Sequence, residues 1–185
     1  MFLNYLNPSQ CALLVIDAQE RLMPVIDERD RVVKNSVLLI KTAKTLNIPI
    51  VPTTQYVDKI GKLLPEITEE LGPLTPTDKM EFSCFNNDDV ITVINSLDSD
   101  IDTLIVCGVE THICIYQTVV GALIHGFSVW VPADAVSSRT KENYQTGLDR
   151  IREIGGIIAN TELVIYELLQ RAGTPEFKQL LPFLK

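Results

Sequence analysis

The sequence predicts an α/β fold: a three-layer α/β/α sandwich around a mostly parallel, doubly wound, Rossmann-like sheet of six strands. Three observations lead there. Short apolar runs alternate with segments of helical period over most of the chain, the pattern that βαβ units produce. The runs are apolar at every position rather than at every second one, as strands are when helices cover both sheet faces. Finally, 185 residues suffice for one core but not for two ordinary domains, so residues 1–185 are read as a single domain. Area scaling gives about 9,000 Å² exposed when folded against about 30,000 Å² unfolded, so roughly 70% is buried without any staple.

The elements follow in order. Residues 12–16 (ALLVI) are a buried strand that stops at Asp17. Residues 32–46 place Val33, Val37, Ile40, Ala43 and Leu46 on one helical stripe. Residues 48–51 (IPIV) form the next strand, with Pro49 at its start. Asn86 or Asn87 can cap a helix whose face carries Val90, Val93, Ile94 and Leu97. Residues 104–107 (LIVC) are a third strand, closed by Gly108. Residues 112–125 are apolar nearly all round, which predicts a buried helix, and Gly126 sits where a C-terminal cap belongs.

A strand over 128–131 follows. A helix over 141–154 comes next, capped by Ser138 or Thr140, with Tyr144, Leu148, Ile151 and Ile154 on its stripe. The last strand covers 156–159, and Thr161 can cap a short helix through Leu169. Residues 54–78, interrupted by Gly61, Pro65, Gly72, Pro73 and Pro76, read as one long functional loop.

Composition narrows the function. Hydrophobic residues at 46% and charged ones at 22% exclude a disordered chain. Runs such as 104–109 fall far short of the ~20 apolar residues of a bilayer span. Residues 1–10 lack the basic start and apolar stretch of a secretory signal, so a cytoplasmic location is expected. The net charge is −8, and the densest basic cluster, Arg150 and Arg152, sits beside Asp149 and Glu153. No nucleic-acid partner is therefore expected. Cys11, Cys84, Cys107 and Cys114 contain no CxxC pair, which excludes zinc-ribbon and thioredoxin motifs and suggests free thiols.

In a doubly wound sheet, chemistry collects beyond the carboxyl ends of the strands. Three segments put reactive side chains there. Asp17 follows its strand directly and precedes Gln19 and Glu20. Lys79 lies in a run with Met80, Phe82, Cys84 and Phe85 that suggests partial burial, where a lysine needs a carboxylate partner. Cys114 falls in the first turn of the helix after Gly108–Glu110, where unpaired N–H groups and the helix dipole favour a thiolate and can hold an oxyanion. Cys107 and Cys11 belong to strands, which leaves Cys84 as the rival nucleophile. His112 is two residues from Cys114 and shares no helix face with it. A Cys–His dyad is therefore unsupported, and a carboxylate from the first strand would serve as base.

Together VIDAQ (15–19), DKMEFSCF (78–85) and CGVETHIC (107–114) resemble the isochorismatase-like cysteine hydrolases, in particular the isochorismatase domain-containing subgroup. The likeness extends to TTQY (53–56), ADAVSSR (133–139) and TELVIYELL (161–169). It implies a catalytic triad with Asp17 as general base, Lys79 as the cation and Cys114 as nucleophile. A cis peptide between Val109 and Glu110 is implied too, with N–H groups near Glu110 and Cys114 forming an oxyanion hole. Gln19, Tyr56 and Phe82 are candidates to line the pocket. Nicotinamidases of this superfamily carry an Asp-x-His metal pattern after the second strand, whereas residues 52–56 here read PTTQY.

No metal and no cofactor are expected. The activity expected is hydrolysis of a small-molecule amide or related C–N bond. Vinyl ether hydrolysis of the isochorismatase type and a non-catalytic binding or scaffold role are the alternatives. Relatives of this kind form dimers or larger assemblies, so a homo-oligomer is expected. Trp130, Phe177 and the 180–184 tail offer apolar surface that a partner, or the chain's own domain, could cover.

Overall fold

A computed structural model of the chain describes residues 5–184. Strands β1 (Cys11–Ile16), β2 (Ile50–Gln55), β3 (Thr77–Lys79), β4 (Thr103–Val109), β5 (Ser128–Pro132) and β7 (Ile157–Ala159) lie side by side in the order β3-β2-β1-β4-β5-β7. Every pairing between named strands is parallel. A seventh strand, β6 (Val136–Ser137), pairs with the far end of β4. The sheet therefore has seven strands where six were expected. The addition is two residues long, too short to show as an apolar run.

Strand β1 shows why its sequence is apolar throughout. Cys11, Leu13 and Val15 enter one core with α1 (Arg29–Thr45), α3 (Pro65–Leu71) and α7 (Thr161–Leu169). Ala12, Leu14 and Ile16 enter the other, with α4 (Asp88–Asn95), α5 (Tyr116–Ile124) and α6 (Lys141–Glu153). The alternation of a strand thus serves two cores at once. The accessible surface of 9294 Å² matches the scaling expectation.

Helix limits follow the capping chemistry. The side chains of Asn87, Thr140 and Asn160 accept from the backbone N–H of Val90, Asn143 and Leu163. Asn160 takes the role expected of Thr161, whose own hydroxyl donates to Asp134. Gly126 ends the helix before it at φ 88°, as expected. That helix differs from the sequence reading in two ways. It begins with a π-helical turn over Thr111–Ile115 before α5 proper. It is also not buried all round: Thr118, Val119 and Ala122 face the core, while Ile124 is 78% exposed.

Residues 54–78 are not one loop. They hold the end of β2, α2 (Val57–Ile60), α3 and the start of β3. The polar TDK of β3 hid a strand, and the prolines and glycines mark helix ends rather than slack. The C-terminal tail packs on its own domain: α8 (Pro175–Leu180) brings Phe177, Leu180 and Leu184 against Leu38, Leu46, Ile165 and Leu169. Trp130 packs on the first core.

Gly108 marks the closest approach in the sheet. It has φ 124°, and a Cβ there would lie 2.0 Å from the Ile16 carbonyl oxygen of β1. Gly126 has a similar sign of φ but open space around it. Gly108→Ala is expected to destabilise by at least about 3 kcal/mol and to disrupt the sheet edge of the site, and Gly126→Ala by about 1–2 kcal/mol. Urea unfolding of the two variants beside the parent chain measures the contrast.

Candidate active site

The carboxyl ends of β1, β2, β3 and β4 meet at one rim of the sheet, and the strand order decides which side chains converge. Asp17 follows β1, and Lys79 ends β3 on the far side of β2. The lysine stem reaches across the tip of β2, where Gln55 is its register partner. Lys79 Nζ lies 2.6 Å from Asp17 Oδ2 and donates to Gln55 Oε1 at 2.9 Å. Neither side chain of the ion pair has any solvent exposure. Thr53, also on β2, donates to Asp17 Oδ1 at 2.9 Å, so both carboxylate oxygens are held. Cys114 sits in the π-helical turn after β4, 5% exposed, near enough to Asp17 and Lys79 to feel both charges. The three residues singled out in the sequence are thus in one place.

Charge follows from this geometry. Burial alone would push the Lys79 ammonium down. The Asp17 carboxylate, 2.6 Å away, outweighs it, and the net direction is up, which favours the protonated lysine. For Cys114 the balance of burial and charge runs against the thiolate that a helix start would favour. Burial pushes the thiol up, the adjacent Asp17 carboxylate pushes it further, and Lys79 only partly opposes them. The direction favours a resting thiol with the Asp17 carboxylate in its surroundings. Cys84 shares the neighbourhood but has no exposure, and burial moves it up to about 11. Its backbone N–H donates to Thr118 Oγ1 at 3.0 Å. Of the four free thiols, Cys114 alone has any solvent access.

Three site residues have left-handed backbones: Asp17 (φ 55°), Tyr56 (φ 42°) and Glu110 (φ 50°). Each is the first residue after its strand. A non-glycine residue in this region costs about 1–3 kcal/mol and persists only where the surroundings enforce it. Such a reversal lets the chain leave the sheet at once, with the side chain left at the rim. The expected cis bond between Val109 and Glu110 is not found, since every described peptide bond is trans. The turn is made instead by the Glu110 dihedrals, φ 50° and ψ 79°. The Glu110 carbonyl then accepts from Ile113 and Ile115 N–H at 2.9 and 3.2 Å, gathering the turn that carries Cys114 around one oxygen.

The remaining expected residues divide. Gln19 is fully buried, and its amide is occupied by backbone: Oε1 accepts from Gln55 N–H at 2.7 Å, and Nε2 donates to Gln55 O and Gly61 O at 3.1 and 2.6 Å. It is a strut between the ends of β1 and β2 rather than a pocket wall, because no polar atom is left for a ligand. Tyr56 and Phe82 are 37% and 51% exposed on the segments that carry Gln55 and Lys79, beside Met80. Gln55 and Thr53 were missed. Both stand in TTQY, and only the register across β2 shows that they hold Lys79 and Asp17. His112 turns away from Cys114 to Ser138 Oγ, 3.0 Å from its Nδ1. Among the described residues no three His, Cys, Asp or Glu side chains form a cluster able to hold a metal ion, and no helix is long and apolar enough to cross a membrane.

Removing one member of a fully buried ion pair strands the other. Lys79→Met is expected to destabilise by about 3–5 kcal/mol, and Lys79→Met combined with Asp17→Asn by clearly less than that single change. Equilibrium urea unfolding of the parent, single and double variants gives the comparison. The Cys114 thiol makes a second expectation. Its folded value lies above the ordinary 9.0, so its thiolate fraction at pH 7–9 is below that of free cysteine. Alkylation of Cys114 by iodoacetamide should therefore be slower than that of free cysteine at pH 7 and still be rising at pH 9. Peptide mapping across that pH range measures it.

Comparison with known proteins agrees with this architecture. The family model of the Isochorismatase domain matches residues 11–162. The chain is similar to the secreted isochorismatase effector Isc1 of Phytophthora sojae, with 35% identity over 99% of this chain and 88% of the relative. Among solved structures, the MAR1 ribonuclease of Caenorhabditis elegans superposes with a TM-score of 0.90 at 30% identity, covering 98% of this chain and 92% of that one. The YcaC gene product of Escherichia coli, described as an octameric hydrolase of unknown specificity, superposes at 0.87 with 22% identity, covering 100% and 89%. The chain, with its parallel sheet and its acid, amine and thiol gathered at one rim, belongs to the isochorismatase family and has its hydrolase fold.

Proposed function

We propose that the chain is a metal-independent cysteine hydrolase that cleaves an amide or related C–N bond in a small molecule. One observation carries the reading: Asp17 and a fully buried Lys79 are paired at 2.6 Å at the rim where Cys114 sits, close enough for both charges to act on its thiol. That arrangement supplies a nucleophile, a base and a fixed cation at one place. Asp17 takes the thiol proton as Cys114 Sγ attacks the substrate carbonyl. The backbone N–H groups of Glu110 and Cys114 stabilise the tetrahedral oxyanion. The C–N bond breaks, and the amine leaves with the proton from Asp17. Water, deprotonated by Asp17, then attacks the thioester, releases the acid and returns the thiol. Lys79 favours the thiolate formed during attack without itself gaining or losing a proton.

A resting thiol suits this sequence of steps, because the proton that must reach the leaving amine is still on the sulfur when the attack begins. The stretch Pro52–Tyr56 lacks the Asp and His of a nicotinamidase metal site, which supports independence from metal. Tyr56 and Phe82 supply an apolar rim for the substrate. Their exposure, with that of Met80 and Ile124, supports assembly of copies of this chain, as in the octameric Escherichia coli neighbour. Four unpaired thiols suit a reducing compartment, and we read the chain as cytoplasmic on that ground, although the Phytophthora relative is named as secreted. The net charge of −8 argues against a polyanionic substrate. The basic residues of α6 support this, since Arg150 and Arg152 are taken by Glu153 and Asp149.

A panel of small amides, with isochorismate and a short RNA included, tests the proposal. Cys114→Ala is expected to lower turnover of any hydrolysed amide by at least about a thousandfold, and Cys84→Ala by less than tenfold. Intact-mass measurement during turnover should show an acyl adduct on Cys114. The reverse ranking of the two variants removes Cys114 as nucleophile. Turnover of isochorismate that needs Asp17 but forms no adduct would favour the vinyl ether route, and no turnover of any compound a binding role.

A further inference from the structure

Glu110 carries a carboxylate that the proposed chemistry does not use. The residue is only 5% exposed, yet Oε2 has no hydrogen-bond partner. Its Oε1 lies 2.7 Å from Nε of Arg139, whose side chain is half-exposed. His112 Nδ1 is 3.4 Å from Oε2 and closer, at 3.0 Å, to Ser138 Oγ. Thr111 Oγ1, next in the chain, is also buried without a partner. Sheet register delivers the guanidinium: β6 pairs Val136 with Gly108 and Ser137 with Val109, so Arg139 arrives two residues later beside Glu110. From the opposite side α6 presses Gly147 on the same turn. A Cβ at Gly147 would lie 2.8 Å from His112 N and from Thr111 C.

The nucleophile turn is therefore gripped between two points of the 136–147 segment, neither of which touches the reacting atoms. We propose that Arg139 is a positioning residue. Its guanidinium anchors the Glu110 carboxylate, holds that residue left-handed, and so fixes the direction of the Cys114 thiol and of the N–H groups around it. The physical need is plain. A left-handed residue persists only where its surroundings enforce it. Among the described residues the Arg139 pair is the one charged tether on the Glu110 side chain besides His112, and the Glu110 carbonyl holds the turn through Ile113 and Ile115. Releasing the carboxylate lets the carbonyl rotate, and Cys114 moves with it. A rim arginine whose only work is solubility would do none of this. The inference rests on the reading of Cys114 as nucleophile, but its readout needs no substrate.

The test compares the whole chain with Arg139→Ala and Arg139→Lys, following iodoacetamide alkylation of Cys114 by peptide mapping from pH 7 to 9. Arg139→Ala is expected to change the Cys114 rate and its pH profile by at least tenfold in rate while thermal unfolding stays cooperative. Guanidinium ion at tens of millimolar, well below denaturing concentrations, should return at least part of the parental rate. Arg139→Lys keeps the charge but not the fork geometry and should fall between, at least threefold from the parent. A rate within twofold of the parent in Arg139→Ala, or an effect that guanidinium does not touch, overturns the proposal. If Arg139→Ala does not fold, Arg139→Lys decides by the same twofold limit. The two readings fail separately. A Cys114→Ala protein without turnover beside an unaffected Arg139→Ala ends only the positioning role. An altered thiol in Arg139→Ala beside full turnover in Cys114→Ala ends only the nucleophile.

Discussion

Asp17 and Lys79 face each other with no solvent on either side, and the end of the sheet is organised around keeping them so. Two charges brought out of water are tolerated only when their remaining hydrogen-bonding positions are filled. Thr53 fills one carboxylate oxygen and Gln55 one ammonium proton. Gln55 is in turn fixed by its own Nε2 on the Met80 carbonyl, and its backbone by Gln19. The tips of β1, β2 and β3 are thereby laced together by side chains where ladder hydrogen bonds run out. A cation that keeps its proton and a carboxylate beside a buried thiol follow from that lacing. Neither group would hold its position on a loop.

Strain accompanies this order. Three neighbouring strand ends pass through left-handed residues that are not glycine, and each supplies or adjoins a group at the rim. Glycine would relieve the backbone but give up the side chain, and at Asp17 and Glu110 the side chain is the point. Where the chain does use glycine, at Gly108, the reason is different: β1 and β4 approach too closely there for any Cβ.

The layered architecture was legible because it rests on apolar periodicity, and nearly every long element was found within two or three residues. The residues that meet at the site were legible in part for a related reason. Asp17 stands where an apolar run stops and Cys114 at a helix start, while the neighbours of Lys79 suggested only partial burial; that the three belong together came from the resemblance of VIDAQ, DKMEFSCF and CGVETHIC to a known family. What stayed hidden depends on neighbours across the sheet. Thr53 and Gln55 have no local mark of function, β3 is a polar tripeptide, and β6 is two residues long. Gln19 looked like a pocket residue because its polarity was visible and its backbone partners at Gln55 and Gly61 were not. The surroundings of the thiol were hidden for a similar reason: a helix start is visible in sequence, whereas the burial and the Asp17 carboxylate that act against it are tertiary.

The division of labour along β4 has a structural consequence. Its first half leans on β5, from Thr103 to Ile105, and its last two residues lean on β6 instead. The strand thus changes neighbours partway, like a rail passing from one sleeper to the next, and the handover falls just before the reactive rim. The short link from β5 to β6 that makes this handover is itself bolted to the helical layers, Ala133 and Asp134 taking bonds from Arg31, Asn35, Tyr144 and Thr161, so a change there would be felt at the rim and in the helices alike.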